Sequence, residues 1–64
     1  MKGRDIRAIR EQKGISQKRL REHIRRAAKW LCDVEREKIP MEPEEAEMLI
    51  VAINDLHRGA GVAA

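Results

Sequence analysis

Leu20, Ile24, Ala27, Leu31 and Val34 stand 4, 3, 4 and 3 residues apart, the spacing that lines one face of an α-helix. Taken locally, the stretch from Ser16 reads as one helix of about twenty residues, because neither Gly nor Pro interrupts it. Ile6 and Ile9 share a face of an earlier helix, from about Arg4 to Lys13. Gly14 suits the left-handed position that ends that helix. Ser16 reads as the N-cap of the next, with Ile15 and Leu20 at the spacing of a hydrophobic staple. Further on, Pro40 stops helix and extends Ile39, so Ile39–Pro43 is a loop. Pro43 fits the first turn of a last helix, whose positive end is complemented by Glu44, Glu45 and Glu47. His57, Arg58 and Gly59 suit its C-terminus. The expectation is one all-α domain over residues 1–58, a compact bundle of four helices (five at most), and a flexible tail over residues 59–64.

Size and composition narrow the function classes. At 64 residues, such a chain buries only about 60% of its unfolded surface, so a second copy is a common source of added stability. The longest apolar run, Met48 to Ile53, is far too short to span a membrane, and the basic start lacks the apolar stretch of a signal peptide. A single cysteine, Cys32, cannot form an internal disulfide, which fits a cytoplasmic setting. His23, His57, Cys32 and Asp33 lack metal-ligand spacing. With no phosphate-cradling Gly loop and no nucleophile constellation, the sequence points to no metal, no cofactor, no small-molecule ligand and no enzyme.

Charge supplies the positive signal. Residues 1–30 hold eleven Lys and Arg against three Asp and Glu, a net +8; residues 31–64 hold three against eight, a net −5. A one-sided basic surface is the footprint of a polyanion binder.

The segments Ile6–Leu20 and Leu31–Pro40 resemble the lambda repressor/Cro (Xre-type) helix-turn-helix family. Arg10, Gly14-Ile15-Ser16-Gln17, Leu20, Ile24, Leu31, Val34-Glu35, Lys38 and Pro40 fit its pattern without a gap. Arg21 stands where the family has Ala, and Arg25 where it favours Gly in the turn. The resemblance implies a helix-turn-helix at about residues 17–35, with a turn near Arg25–Arg26 and helix 3 (about 28–35) in the DNA major groove. Ala28, Lys29, Cys32 and Asp33 would then meet base edges: Lys29 can donate to guanine, Ala28 can touch a thymine methyl, and Asp33 can accept from cytosine. Gln17, Lys18, Arg19, Arg25, Arg26, Arg36 and Lys38 would contact phosphates. Arg10 and Glu35 would pair across the fold in a structural role. The implied partner is double-stranded DNA, in the cytoplasm with the nucleoid.

Two features lie outside that pattern. On the last helix, Ala46, Leu49, Ile50, Ile53 and Leu56 suffice to face a core. Met48, Val51, Ala52 and Asp55 are then expected to form a homodimer interface. Trp30 reads as a core-edge aromatic, or as a contact to DNA backbone or a partner. The expected function is a sequence-specific transcriptional regulator, a repressor on a palindromic operator. The alternatives are a protein–protein adaptor on a degenerate helix-turn-helix, and a nonspecific nucleic-acid binder in which helices 2 and 3 are one.

Overall fold

The computed structural model describes the backbone of residues 1–62 and the side chains of residues 1–59. Four α-helices follow one another: α1 (Gly3–Gln12), α2 (Gln17–Ile24), α3 (Ala28–Glu35) and α4 (Pro43–Val62). No strand occurs among the described residues, and the architecture is the all-α, four-helix one expected.

Helix boundaries follow local chemistry. The Lys2 N–H donates to the Asp5 carboxylate at 2.8 Å at the start of α1. Gly14 takes φ 69° after its end, and the Ile15 N–H returns to the Arg10 carbonyl at 3.1 Å. That closure needs the left-handed backbone that glycine adopts without cost. Ser16 Oγ accepts the Arg19 N–H at 3.1 Å and caps α2. Pro43 opens α4, where the Glu42 N–H donates to Glu45 Oε1 at 2.9 Å.

A real turn separates α2 from α3, so the continuous-helix option is not realised. Arg25 adopts φ 58° and ψ 46°, and the Arg26 N–H donates to the Arg21 carbonyl at 2.9 Å. For a non-glycine residue that conformation costs about 1–2 kcal/mol. Leu20, Leu31 and Val34, on the two helices it separates, are at most 1% exposed. Burying each is worth roughly 1.5–3 kcal/mol, which outweighs the strain. The break also resets the apolar phase: Ala27, in register with Leu31 on paper, becomes the exposed N-cap of α3. Relief of the strain is measurable. Arg25→Gly is expected to stabilise the domain by about 1 kcal/mol, raising Tm by roughly 4–8 °C in a thermal melt followed by circular dichroism. An unchanged or lower Tm would mean that the Arg25 side chain contributes as much as its backbone costs.

The core comprises Ile6, Ile15, Leu20, Leu31, Val34, Leu49, Ala52 and Ile53. α1 and α2 each pack against both α3 and α4. Being gripped from two sides widens the buried arc of α4, and this corrects the expected interface: Ala52 is only 3% exposed and belongs to the core. α4 also runs through Gly59 to Val62 rather than stopping near His57. Nothing forces a stop, because Gly59 is tolerated within a helix at a modest cost and no proline follows. Of the expected tail, residues 63–64 lie outside the described residues. No described helix is long and apolar enough to cross a membrane.

Candidate nucleic-acid interface

α3 is short and held at its rear. Its buried side chains are Leu31, Val34 and Glu35, so Ala28 and Lys29 are left exposed at the opposite, N-terminal face. Of the four residues expected to meet bases, these two stand clear. Cys32 and Asp33 are half-buried. Asp33 is paired with Lys29, its Oδ2 lying 3.3 Å from the Lys29 ammonium. Ala27, placed by spacing on one helix face with Leu31, joins the exposed set. The N-cap would have been legible only once the turn at Arg25 was accepted.

The rear anchor is a closed polar network. Arg10 Nε and Nη2 donate to the two Glu35 carboxylate oxygens at 2.8 and 2.9 Å, and Nη1 donates to the Ile15 carbonyl at 2.8 Å. Hydrogen bonding to Glu35 raises the Arg10 pKa above its already high ordinary value, against the opposing effect of burial. Arg10 therefore keeps its charge at any working pH. The cross-fold pair implied by the family resemblance is in place, and it ties α1 to the last residue of α3.

Gln17 is drawn into the same network. Its Nε2 donates to Glu35 Oε1 at 2.9 Å, which fixes the amide at the first residue of α2. An amide nitrogen carries a second N–H, which this bond leaves open to another acceptor.

The expected phosphate-binding cations bracket α3. Lys18, Arg19, Arg25 and Arg26 precede it, Arg36 and Lys38 follow it, and all six are exposed. Among the described residues, none of the six has an ion-pair partner. Trp30 is half-buried against the core, as a core-edge aromatic should be. The Arg26 guanidinium carbon sits 4.5 Å from its ring centroid. α3 itself has no capping side chain at Ala27, which leaves its first N–H groups available to an acceptor.

On α4, Val51 is 52% exposed and, among the described residues, is one of two exposed large apolar side chains, the other being Met1. It stands between two open grooves. One, of about 510 Å³, is bordered by His23, Ile24, Met48 and Asp55. The other, of about 410 Å³, is bordered by Met1, Met41 and Ile50. Met48 and Asp55 are half-buried, and Asp55 is held by Arg58 at 2.6 Å. Comparison with protein-family models, curated proteins and solved structures finds no match to this chain.

Proposed function

We propose that this chain is a sequence-specific DNA-binding regulator that sets α3 in the major groove and represses transcription by occupying a promoter. The observation that carries this reading is the set of exposed, unpaired cations on both sides of α3, flanking a face of small and cationic side chains at Ala28 and Lys29. Unneutralised like charge on a small domain is self-repulsive, and a polyanionic partner relieves it. The separation of α2 and α3 by a short turn removes the premise of the single-helix alternative. The resemblance to the lambda repressor/Cro family agrees with the reading, and the location proposed with it is the cytoplasm, at the nucleoid.

A second copy fits α4. Glu44, Glu47, Val51, Asp55 and Arg58 recur at helical spacing along one stripe. In an antiparallel pair crossing at Val51, Glu44 of one copy lies opposite Arg58 of the other. Glu47 then approaches Asp55, a like-charge contact that Arg58, shared between Asp55 of its own helix and Glu44 opposite, offsets only in part, so the seam rests on Val51. To read a palindrome on one face of the duplex, the two-fold related α3 helices would need to stand about 34 Å apart, one turn of the duplex.

Selection from a random duplex pool at graded salt tests both parts. The expected result is a palindrome bound with steep salt dependence. Lys29→Ala should cost about 1–3 kcal/mol at one base position, whereas Lys38→Ala should weaken all sequences alike and lower the salt slope by about one. A pool with no enrichment over nonspecific affinity would refute specific DNA recognition and favour the adaptor reading, which the exposed Val51 ridge also suits. Val51→Glu should sediment as a monomer while the unmodified protein sediments as a dimer. Identical monomeric sedimentation of both at high concentration rules the dimer out.

A further inference from the structure

We infer that Trp30 is a positioning residue for nucleic-acid binding, one that holds the Arg26 guanidinium at the start of α3 with its donor edge turned to a DNA phosphate. The inference rests on the DNA-binding reading above and assigns Trp30 a role that the contact residues alone do not. Arg26 is constrained at both ends. Its backbone is fixed by the left-handed Arg25 and by its own N–H bond to the Arg21 carbonyl at 2.9 Å. Its guanidinium is fixed by the indole face at 4.5 Å. The indole is a firm base because Trp30 packs against the core. Cation–π attraction to the indole face consumes no N–H donor of the guanidinium. The in-plane edge, which fits a phosphate with two parallel hydrogen bonds, therefore stays free. Lys29 is restrained differently, by an acid that partly neutralises it. Arg26 is restrained with its charge intact, so it is the side chain in this turn that binds an anion with least loss of conformational freedom.

The test measures affinity and salt slope on a short mixed-sequence duplex for the unmodified protein, Arg26→Ala, Arg26→Lys, Trp30→Phe, Trp30→Leu and the Arg26→Ala/Trp30→Leu double variant. Arg26→Ala should weaken binding several-fold and lower the salt slope by about 0.9 per protomer. Trp30→Leu, folded by circular dichroism, should reproduce most of both effects, and Trp30→Phe should retain most of the affinity. The double variant should lose little more than either single one, because the two side chains act as a unit. The inference is overturned by a folded Trp30→Leu with unchanged affinity and slope, by fully additive losses, or by a Phe variant no better than Leu. Should Trp30→Leu fail to fold, Arg26→Lys decides, since it keeps the charge and loses the planar fork: full affinity overturns the inference and a loss near that of Arg26→Ala supports it. Binding by the unmodified protein together with any of the overturning outcomes removes the role of Trp30 alone and leaves the DNA-binding reading standing. Absence of salt-dependent duplex binding by the unmodified protein removes the DNA reading with it.

Discussion

Glu35→Ala is expected to leave the domain largely unfolded at room temperature. The Glu35 side chain is 1% exposed and receives two hydrogen bonds from Arg10 and one from Gln17. Its removal strands a guanidinium whose own side chain is 9% exposed, and breaking a buried pair from one side costs about 3–5 kcal/mol. A core of this size rarely supplies more than about 3–5 kcal/mol in all. The loss is therefore comparable with the whole stability. Urea or thermal unfolding followed by circular dichroism reads it directly. The penalty belongs to the orphaned charge rather than to the pair, so replacing both partners by apolar residues, Arg10→Met with Glu35→Leu, should recover most of the loss. A Glu35→Ala protein melting within a few degrees of the unmodified one would show that Arg10 reaches water when its partner is gone.

The second large effect comes from a smaller change. Gly3→Ala is expected to destabilise by about 2 kcal/mol, a Tm fall of roughly 8–16 °C. A Cβ on Gly3 would overlap the Val34 carbonyl oxygen and lie 2.8 Å from its carbonyl carbon and 3.3 Å from Glu35 Cα. The obstacle is backbone, so no rotamer change relieves it. The first turn of α1 would have to lift away from the last turn of α3, straining the Arg10–Glu35 bridge between the same two helices. Gly59→Ala is the matched control. That glycine lies within α4, and an added Cβ meets nothing within 4 Å. There the same methyl should stabilise slightly through helix propensity, by at most about 1 kcal/mol. Equal effects of the two substitutions, in either direction, would contradict the close approach of α1 to α3.

Legibility in the sequence followed the range of the interaction concerned. Gly14, Ser16 and Pro43 mark their boundaries because each acts on groups within a few residues of itself, and each does so in the structure. The Arg10–Glu35 pair spans 25 residues. It was expected only through the family resemblance, since spacing along the chain does not indicate which charges meet. Gly3 is unmarked in the sequence because nothing local distinguishes a glycine at a close backbone crossing from any other. The same holds for the stacking of Arg26 on Trp30. Its four-residue spacing permits contact, but only the turn at Arg25 decides where Arg26 starts from.

By itself the sequence determined an all-α chain, the boundaries of α1, the starts of α2 and α4, and a basic first half facing an acidic second half. Those are consequences of periodicity, capping and composition, which operate over one or two helical turns. The break between α2 and α3, which spacing did not show and only the family resemblance implied, was decided in the tertiary structure, as were the burial of Ala52 and the exposure of Ala27. In each case packing against α1, α3 or α4 outweighed a local preference. A left-handed arginine costs about 1–2 kcal/mol, and three buried aliphatic side chains return several times that.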